Sequence, residues 1–252
     1  MDSETTRRLN RLNRSFYEHS AEDFSRTRGA PWGGWERIVD AVGPTSEPEP
    51  VAILDVGCGN GRFAPYASRR LGAIDYLGLD SSEALLRTAR DQAASLAEGS
   101  RCQLARCDLV EGSLEEAIEG RAFHLITVFG VMHHLPGFDN RRALLVTLRE
   151  HLLPGGLLAV SFWQFGASER FLSRTRAWED FNRTADEPID LTQIEDSDLL
   201  LAWGEGDAFR YCHFADPAEV ERLLESSGLA SAETYFADGH GDRLNLYALI
   251  RG

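Results

Sequence analysis

Ile53-Leu-Asp-Val-Gly-Cys-Gly-Asn-Gly-Arg-Phe63 decides how the rest of the chain is read. The apolar run 51–56 has the length and composition of a buried parallel strand. Three glycines follow at alternate positions, Gly57, Gly59 and Gly61, and a helical pattern, RFAPYASRRL, starts directly afterwards. Glycine lets the backbone turn sharply and approach a ligand closely. A strand, a glycine turn and a helix therefore predict a cofactor site at the carboxyl edge of a sheet. The plain alternative is a tight connection with no ligand. Asp80 weighs against it: it closes the next strand, and an acid there is placed to accept hydrogen bonds from a ribose diol. The spacing also separates cofactors. A dinucleotide site wants G-x-G-x-x-G, and Arg62 stands where the third glycine of that pattern would fall.

Outward from this turn, strand and helix patterns alternate. IDYLGLD (74–80), CQLARCD (102–108), FHLITVFG (123–130) and the run following Pro154-Gly155-Gly156 read as strands. Helices are expected over 82–96, near 114–118 and over 140–152. Asp216-Pro217-Ala218-Glu219 is a strong helix start, with Asp as N-cap, Pro at N1 and Glu at N3, and that helix should end at Gly228. ETYFAD, a GHGD turn and RLNLYALIR then form a hairpin. The predicted fold class is α/β: a doubly wound, seven-stranded, mostly parallel sheet with a terminal antiparallel hairpin.

Residues 1–43 read as a helical cover, with Leu9, Leu12, Phe16 and Tyr17 at helical spacing. Ser20-Ala-Glu-Asp23 resembles a capping box, and Gly29–Gly34 breaks the pattern before a second short helix. GPTSEPEP (43–50) is a linker by composition, and 51–252 forms the main unit. Within it, 164–210 interrupts the rhythm. Between Glu179 and Asp207 there are ten acids and one arginine, and no strong strand is expected. Both the cover and this insertion are expected over the carboxyl edge of the sheet.

Composition excludes several chemistries. With 43% hydrophobic and 26% charged residues the chain is globular, and a net charge of −14 gives no global attraction to a polyanion. All 26 basic residues are arginine. No lysine can form a Schiff base or fill a phosphate-binding GKS/T loop. Four cysteines suggest neither a disulfide framework nor a paired zinc site. No apolar run reaches membrane length and the N-terminus lacks the apolar core of a signal peptide, so a cytoplasmic protein is expected. His133 and His134 are neighbours that point different ways on regular structure, so no metal ion is expected. Pocket shaping or a catalytic base remains open for them.

In its glycine motif, Asp55 to Gly61, and in its element order, the sequence resembles the class I methyltransferases that use S-adenosylmethionine. The resemblance implies that Asp55, Gly57, Gly59 and Gly61 form the loop around the methionine part of that cofactor. It also implies that Asp80 and Ser81 hold the ribose, that Asp108 and Leu109 bound the adenine, and that Phe129 and Gly130 border the methyl. A narrower resemblance lies in SFYEHSAEDFSRTRGAPW (15–32), LREHLLPGGLLAVSFWQF (148–165) and FRYCHF (209–214). These stretches are similar to the wobble-uridine carboxymethyl-tRNA methyltransferases, here as a bacterial relative. That likeness implies an esterified carboxylate, a tRNA acceptor and a small zinc-binding activator protein as partner. It adds Tyr17 and Arg28 to the cofactor residues. Arg28 and Arg210 are the candidate anchors for an acceptor carboxylate, with the cofactor's own carboxylate as the alternative for Arg28; His133 is the candidate base for a hydroxyl, and Trp32, Trp35, Trp163 and Trp203 are candidate pocket walls. Three functions stay open: methyl transfer to a nucleic-acid carboxylate, methyl transfer to a small metabolite, and a non-enzymatic cofactor-binding module.

Overall fold

Apolar segments too short for helices and bounded by turns pair into one central sheet. The computed structural model describes residues 1–27, 29–43, 49–203 and 208–252. In chain order these form α1 (Ser3–Thr27), α2 (Trp35–Val42), β1 (Val51–Val56), α3 (Phe63–Leu71), β2 (Ile74–Asp80), α4 (Glu83–Ala93) and β3 (Arg101–Arg106). They continue with α5 (Leu114–Ile118), β4 (Phe123–Val128), α6 (Phe138–Glu150), β5 (Leu152–Trp163), α7 (Glu169–Leu172), β6 (Thr175–Arg176) and α8 (Trp178–Asn182). The last are β7 (Asp198–Trp203), β8 (Ala208–His213), α9 (Pro217–Ser226), β9 (Glu233–Ala237) and β10 (Asn245–Arg251).

The large sheet has seven strands in the order β3-β2-β1-β4-β5-β10-β9, and β10 runs antiparallel to both of its neighbours. β1 pairs in parallel with β2 on one side and with β4 on the other. The connection direction reverses there, which opens a crevice beyond the carboxyl ends of β1 and β4. Successive side chains of β1 serve opposite cores. Ile53 packs in the cluster holding Trp35, Ile38 and Phe63 of α2 and α3. Leu54 and Val56 pack with Leu145 and Leu148 of α6 and Leu223 of α9. Burying each such side chain contributes roughly 1.5–3 kcal/mol before the entropy cost. The start of α9 follows its sequence signal: Asp216 Oδ1 accepts the Glu219 N–H at 2.7 Å, with Pro217 at the first helical position.

Three expectations need correction. α1 runs unbroken through Ser20, so the capping-box pattern there starts no helix. Ser20 and Ala21 are buried, and tertiary packing overrides the local signal. β5 begins at Leu152, and Pro154–Gly156 is an irregular lead-in where the register against β4 shifts. Third, the insertion contains a second, antiparallel sheet, β6-β7-β8, where no strong strand was expected. Its apolar residues have somewhere to go. Leu200 and Tyr211 pack with Leu9 of α1 and Trp178, while Leu201 and Cys212 pack with Phe165.

A buried polar network fastens this small sheet to the main unit. Arg141 of α6 donates to Glu195 Oε2 at 2.6 Å and to Glu219 Oε1 of α9 at 3.2 Å. His213 lies between Asp198 Oδ1 (2.7 Å) and Glu219 Oε1 (2.8 Å), and the Tyr211 hydroxyl donates to the same Asp198 oxygen at 2.7 Å. Burial works against a charged His213, but the hydrogen bonds to Asp198 and Glu219 prevail and raise its pKa. Among the described residues, no helix is long and apolar enough to cross a membrane.

Candidate active site

The glycine turn is held by its neighbour strand. The Gly57 and Cys58 N–H groups both donate to the Leu79 carbonyl, at 2.7 and 2.9 Å. Gly57 has φ +71°, and a Cβ there would lie 2.2 Å from Val131 Cγ2, so only glycine fits. Asp80 Oδ2 accepts the Gly59 N–H and Oδ1 accepts the Ser82 N–H, each at 2.8 Å. One carboxylate thus ties the turn after β1 to the turn after β2 and keeps lone pairs for a ligand. Burial raises its pKa, partly offset by the N–H groups of Ser82 and Gly59. Asp55 sits beneath the turn and accepts the hydroxyls of Tyr76 (2.6 Å) and Thr127 (2.7 Å). Burial pushes its carboxyl up to about 6 against the pull of those two hydroxyls.

One cavity of about 200 Å³ brings the sequence candidates together. Tyr17, Asp55, Gly57, Gly59, Asp80, Ser81, Asp108, Leu109, Phe129, Gly130, His133 and Arg210 all line it, as do Trp32, Trp35 and Trp163. Gly61 does not. A Cβ on Gly61 would lie 2.8 Å from Ala89 Cβ, so this glycine lets α4 approach the turn and does not touch the ligand space. The Trp203 ring lies 5.0 Å from the Arg210 guanidinium carbon and is also absent from the wall. Arg28 lies outside the described residues.

At one end of the cavity stands Asp108, and α1 reaches it. Asn10 Nδ2 donates to both Asp108 oxygens at 3.0 Å, and Arg14 is 3.3 Å from Oδ2. The Val110 and Glu111 N–H groups also donate to Oδ1. At the other end, α1 meets the loop after β4. Tyr17 Oη is 2.7 Å from His134 Nε2, and His134 Nδ1 is 3.0 Å from the Tyr211 carbonyl. A carbonyl only accepts, so Nδ1 carries the proton and Tyr17 donates to Nε2. Burial and then the nearby Arg210 charge lower the His134 pKa to about 3. His134 is a neutral strut and no base at neutral pH. His133 stands next to it, its ring 5.1 Å from Trp163. Asn10, Asn13 and Arg14 were not singled out in the sequence. The available signal was the stripe Asn10, Asn13, Arg14, Tyr17, spaced to share one helix face.

β8 supplies the last wall. Alternation along the strand sends Tyr211 towards α1 and Trp178, and Arg210 towards the cavity. Arg210 is 4% exposed. Its guanidinium carbon lies 5.3 Å from the Phe16 ring, 5.2 Å from Trp163 and 5.0 Å from Trp203. Its Nε is buried without a hydrogen-bond partner, and no acid pairs with it among the described residues. A cation held dry among aromatic rings, with donor capacity left over, is built for an anion.

The donor atoms of His133, His134 and Cys212 come within 4.8 Å of one another, so a cysteine does join the two histidines. That set suits a cation poorly. The His134 Nδ1–H is committed to Tyr211, burial pushes the Cys212 thiol up to about 12, and Arg210 is close by.

Fold and cavity define an α/β enzyme that takes a nucleoside cofactor at a sheet's switch point. Residues 54–158 match the family model described as a methyltransferase domain. The chain is 29% identical over 205 residues to a trans-aconitate 2-methyltransferase of Acidovorax, covering 76% of this chain and 73% of that one. It is 26% identical over 147 residues to a tRNA (carboxymethyluridine(34)-5-O)-methyltransferase of Arabidopsis thaliana, covering 58% of this chain but 31% of that protein. A solved S-adenosylmethionine-dependent methyltransferase from Clostridium acetobutylicum superposes with a TM-score of 0.59 over 94% of this chain and 98% of that one. At 16% identity this last likeness speaks for the fold alone. Matched domain, relatives and fold together support an S-adenosylmethionine-dependent methyltransferase, similar to the class I enzymes.

The cavity fits that cofactor. Left-handed glycines leave room for its close approach, and Asp80 and Asp108 put carboxylate oxygens on the wall, where ribose and adenine donors would be received. When bound, the cofactor supplies a methyl group activated on a sulfonium.

Proposed function

We propose that this enzyme esterifies a carboxylate of its acceptor. One observation carries the reading: the buried, aromatic-caged guanidinium of Arg210 faces the cavity with no acid of its own among the described residues. A carboxylate is anionic near neutral pH and attacks without a base, so the protein's work is orientation and exclusion of water. In this reading Arg210 orients the anion, Trp163 and the α1 cover keep water out, and Asp55, Asp80 and Asp108 serve the cofactor end. His134, locked and neutral, positions Tyr17 and the cover.

The Acidovorax relative is named for trans-aconitate, itself a carboxylate, and the Arabidopsis relative for a carboxymethylated uridine. Both names support transfer to a carboxyl oxygen. If the carboxyl belongs to tRNA, a small zinc-binding activator is the expected partner. The reading assigns the reaction to the cytoplasm. The test is transfer from methyl-labelled cofactor to a metabolite extract and to total tRNA, followed by mass spectrometry and mild alkali. Alkali-labile label, expected here, marks an ester. Label that survives alkali as an ether or amine would overturn the reading.

A further inference from the structure

We propose that the acceptor is a small monocarboxylic acid with an apolar body, neither a polycarboxylate nor a tRNA. The inference rests on the carboxylate reading above and narrows it. Charge accounting within the cavity carries it. Three arginines reach the wall: Arg14, Arg62 and Arg210. Arg14 is engaged by Asp108 at 3.3 Å and Glu111 at 3.1 Å. Arg62 donates to the Ala30 carbonyl at 2.6 Å and lies over the rings of Trp32 and Trp35. Only Arg210 has neither an acid nor an oxygen partner among the described residues. One guanidinium satisfies one carboxylate, through two parallel N–H donors. Among the described residues, a second acceptor carboxylate would find no other wall arginine without an acid or oxygen partner.

The surroundings of Arg210 set the rest of the acceptor. Trp163 lies against the guanidinium, and Asn245 pairs with Trp163 across the β5–β10 ladder. Leu244 and Val131 also line the cavity, with His133 beside Trp163 and His134 close to Arg210. Such a lining suits hydrocarbon or an aromatic ring, and it buries the charge of the acid while the body stays dry. Arg210 is 4% exposed, with Phe16 of α1 over it, so the anion must enter a covered pocket. A tRNA would also bring its phosphates against a chain of net charge −14 that has no lysine.

The experiment titrates four probes, benzoate, octanoate, citrate and total tRNA, into the full chain saturated with S-adenosylhomocysteine, followed by calorimetry. Benzoate or octanoate should bind, and citrate and tRNA should not. Arg210→Met should weaken that binding by at least about tenfold, the loss expected of a desolvated charge-assisted pair. Arg210→Gln serves as a second variant, and unchanged S-adenosylhomocysteine affinity shows that each variant is folded. Binding of citrate or tRNA in preference to the monocarboxylates, lost with Arg210, would overturn the inference and leave the esterification reading standing. Failure of both monocarboxylates to bind would also overturn it. Monocarboxylate binding that is indifferent to both Arg210 variants would remove the common basis of the two readings.

Discussion

Asp55→Asn should stabilise the protein, and increasingly so as the pH rises. Asp55 is 2% exposed, and burial lifts its carboxyl from the usual 3.8 to about 6. An acid whose folded pKa is raised favours the fold while it is protonated. That contribution is complete below the unfolded value and is lost as pH rises through the folded one. Above pH 6 the native state holds a buried anion that the unfolded chain would leave in water. The two pKa values put that cost at about 3 kcal/mol near pH 8 and about 1.6 kcal/mol at pH 5. Asparagine has the same shape and no charge. The hydroxyls of Tyr76 and Thr127 that donate to Asp55 can each reverse, so both partners remain satisfied. Urea unfolding of both proteins at pH 5 and pH 8 isolates the effect, because groups not coupled to Asp55 cancel in the difference. The stability gap should favour the variant and widen by about 1.4 kcal/mol between those pH values. A gap that stays constant, or a variant less stable at pH 8, would refute the reasoning.

Asp80→Ala should weaken S-adenosylmethionine binding by about 1–3 kcal/mol in calorimetry, because the Gly59 and Ser82 N–H groups lose their acceptor along with the ribose; unchanged affinity would make Asp80 purely structural. Gly57→Ala should abolish measurable cofactor binding, and adding Val131→Ala should recover only part of it, since relieving the 2.2 Å contact leaves the left-handed backbone strained by about 1–2 kcal/mol. Arg210→Ala should depress turnover strongly while donor affinity holds, and wild-type rates should stay nearly flat from about pH 6 to 9, where carboxylates remain ionised. A rate that falls below pH 7 and vanishes in His133→Ala, with Arg210→Ala active, would identify a hydroxyl acceptor and a histidine base.

The parallel strands were legible because burial on both faces writes a continuous apolar run, as in Val51–Val56 and Phe123–Val128. The glycine turn and Asp80 were legible because left-handed backbone and a strand-end acid leave residue-type signatures. The small sheet was hidden by composition. DLLLAW and AFRYCH are apolar enough for strands, but they sit in an acidic stretch whose charges drew attention to solvent. Two of those acids turn inward: Asp198 is 3% exposed and bound by Tyr211 and His213, and Glu195 accepts from the buried Arg141. The residues of α1 that reach the cavity were illegible for a different reason. An Asn or Arg on a helix looks the same in sequence whether it meets water or a distant carboxylate, and Asp108 is 98 residues from Asn10. Arg210 was found as a polar anchor, but its ring of Phe16, Trp163 and Trp203 is assembled from three separate segments and appears only in three dimensions.

The span of α1 has a consequence for the rhythm of turnover. Asn10 grips Asp108 at one end of the cavity, and Tyr17 grips His134 at the other, two helical turns and about 10 Å apart. A rigid rod fastened at both points does not lift at one end only. Release of spent cofactor and of methylated product would then share the same unlatching of one helix face. Loosening either latch should speed the cycle wherever departure, and not methyl transfer, is the slow step.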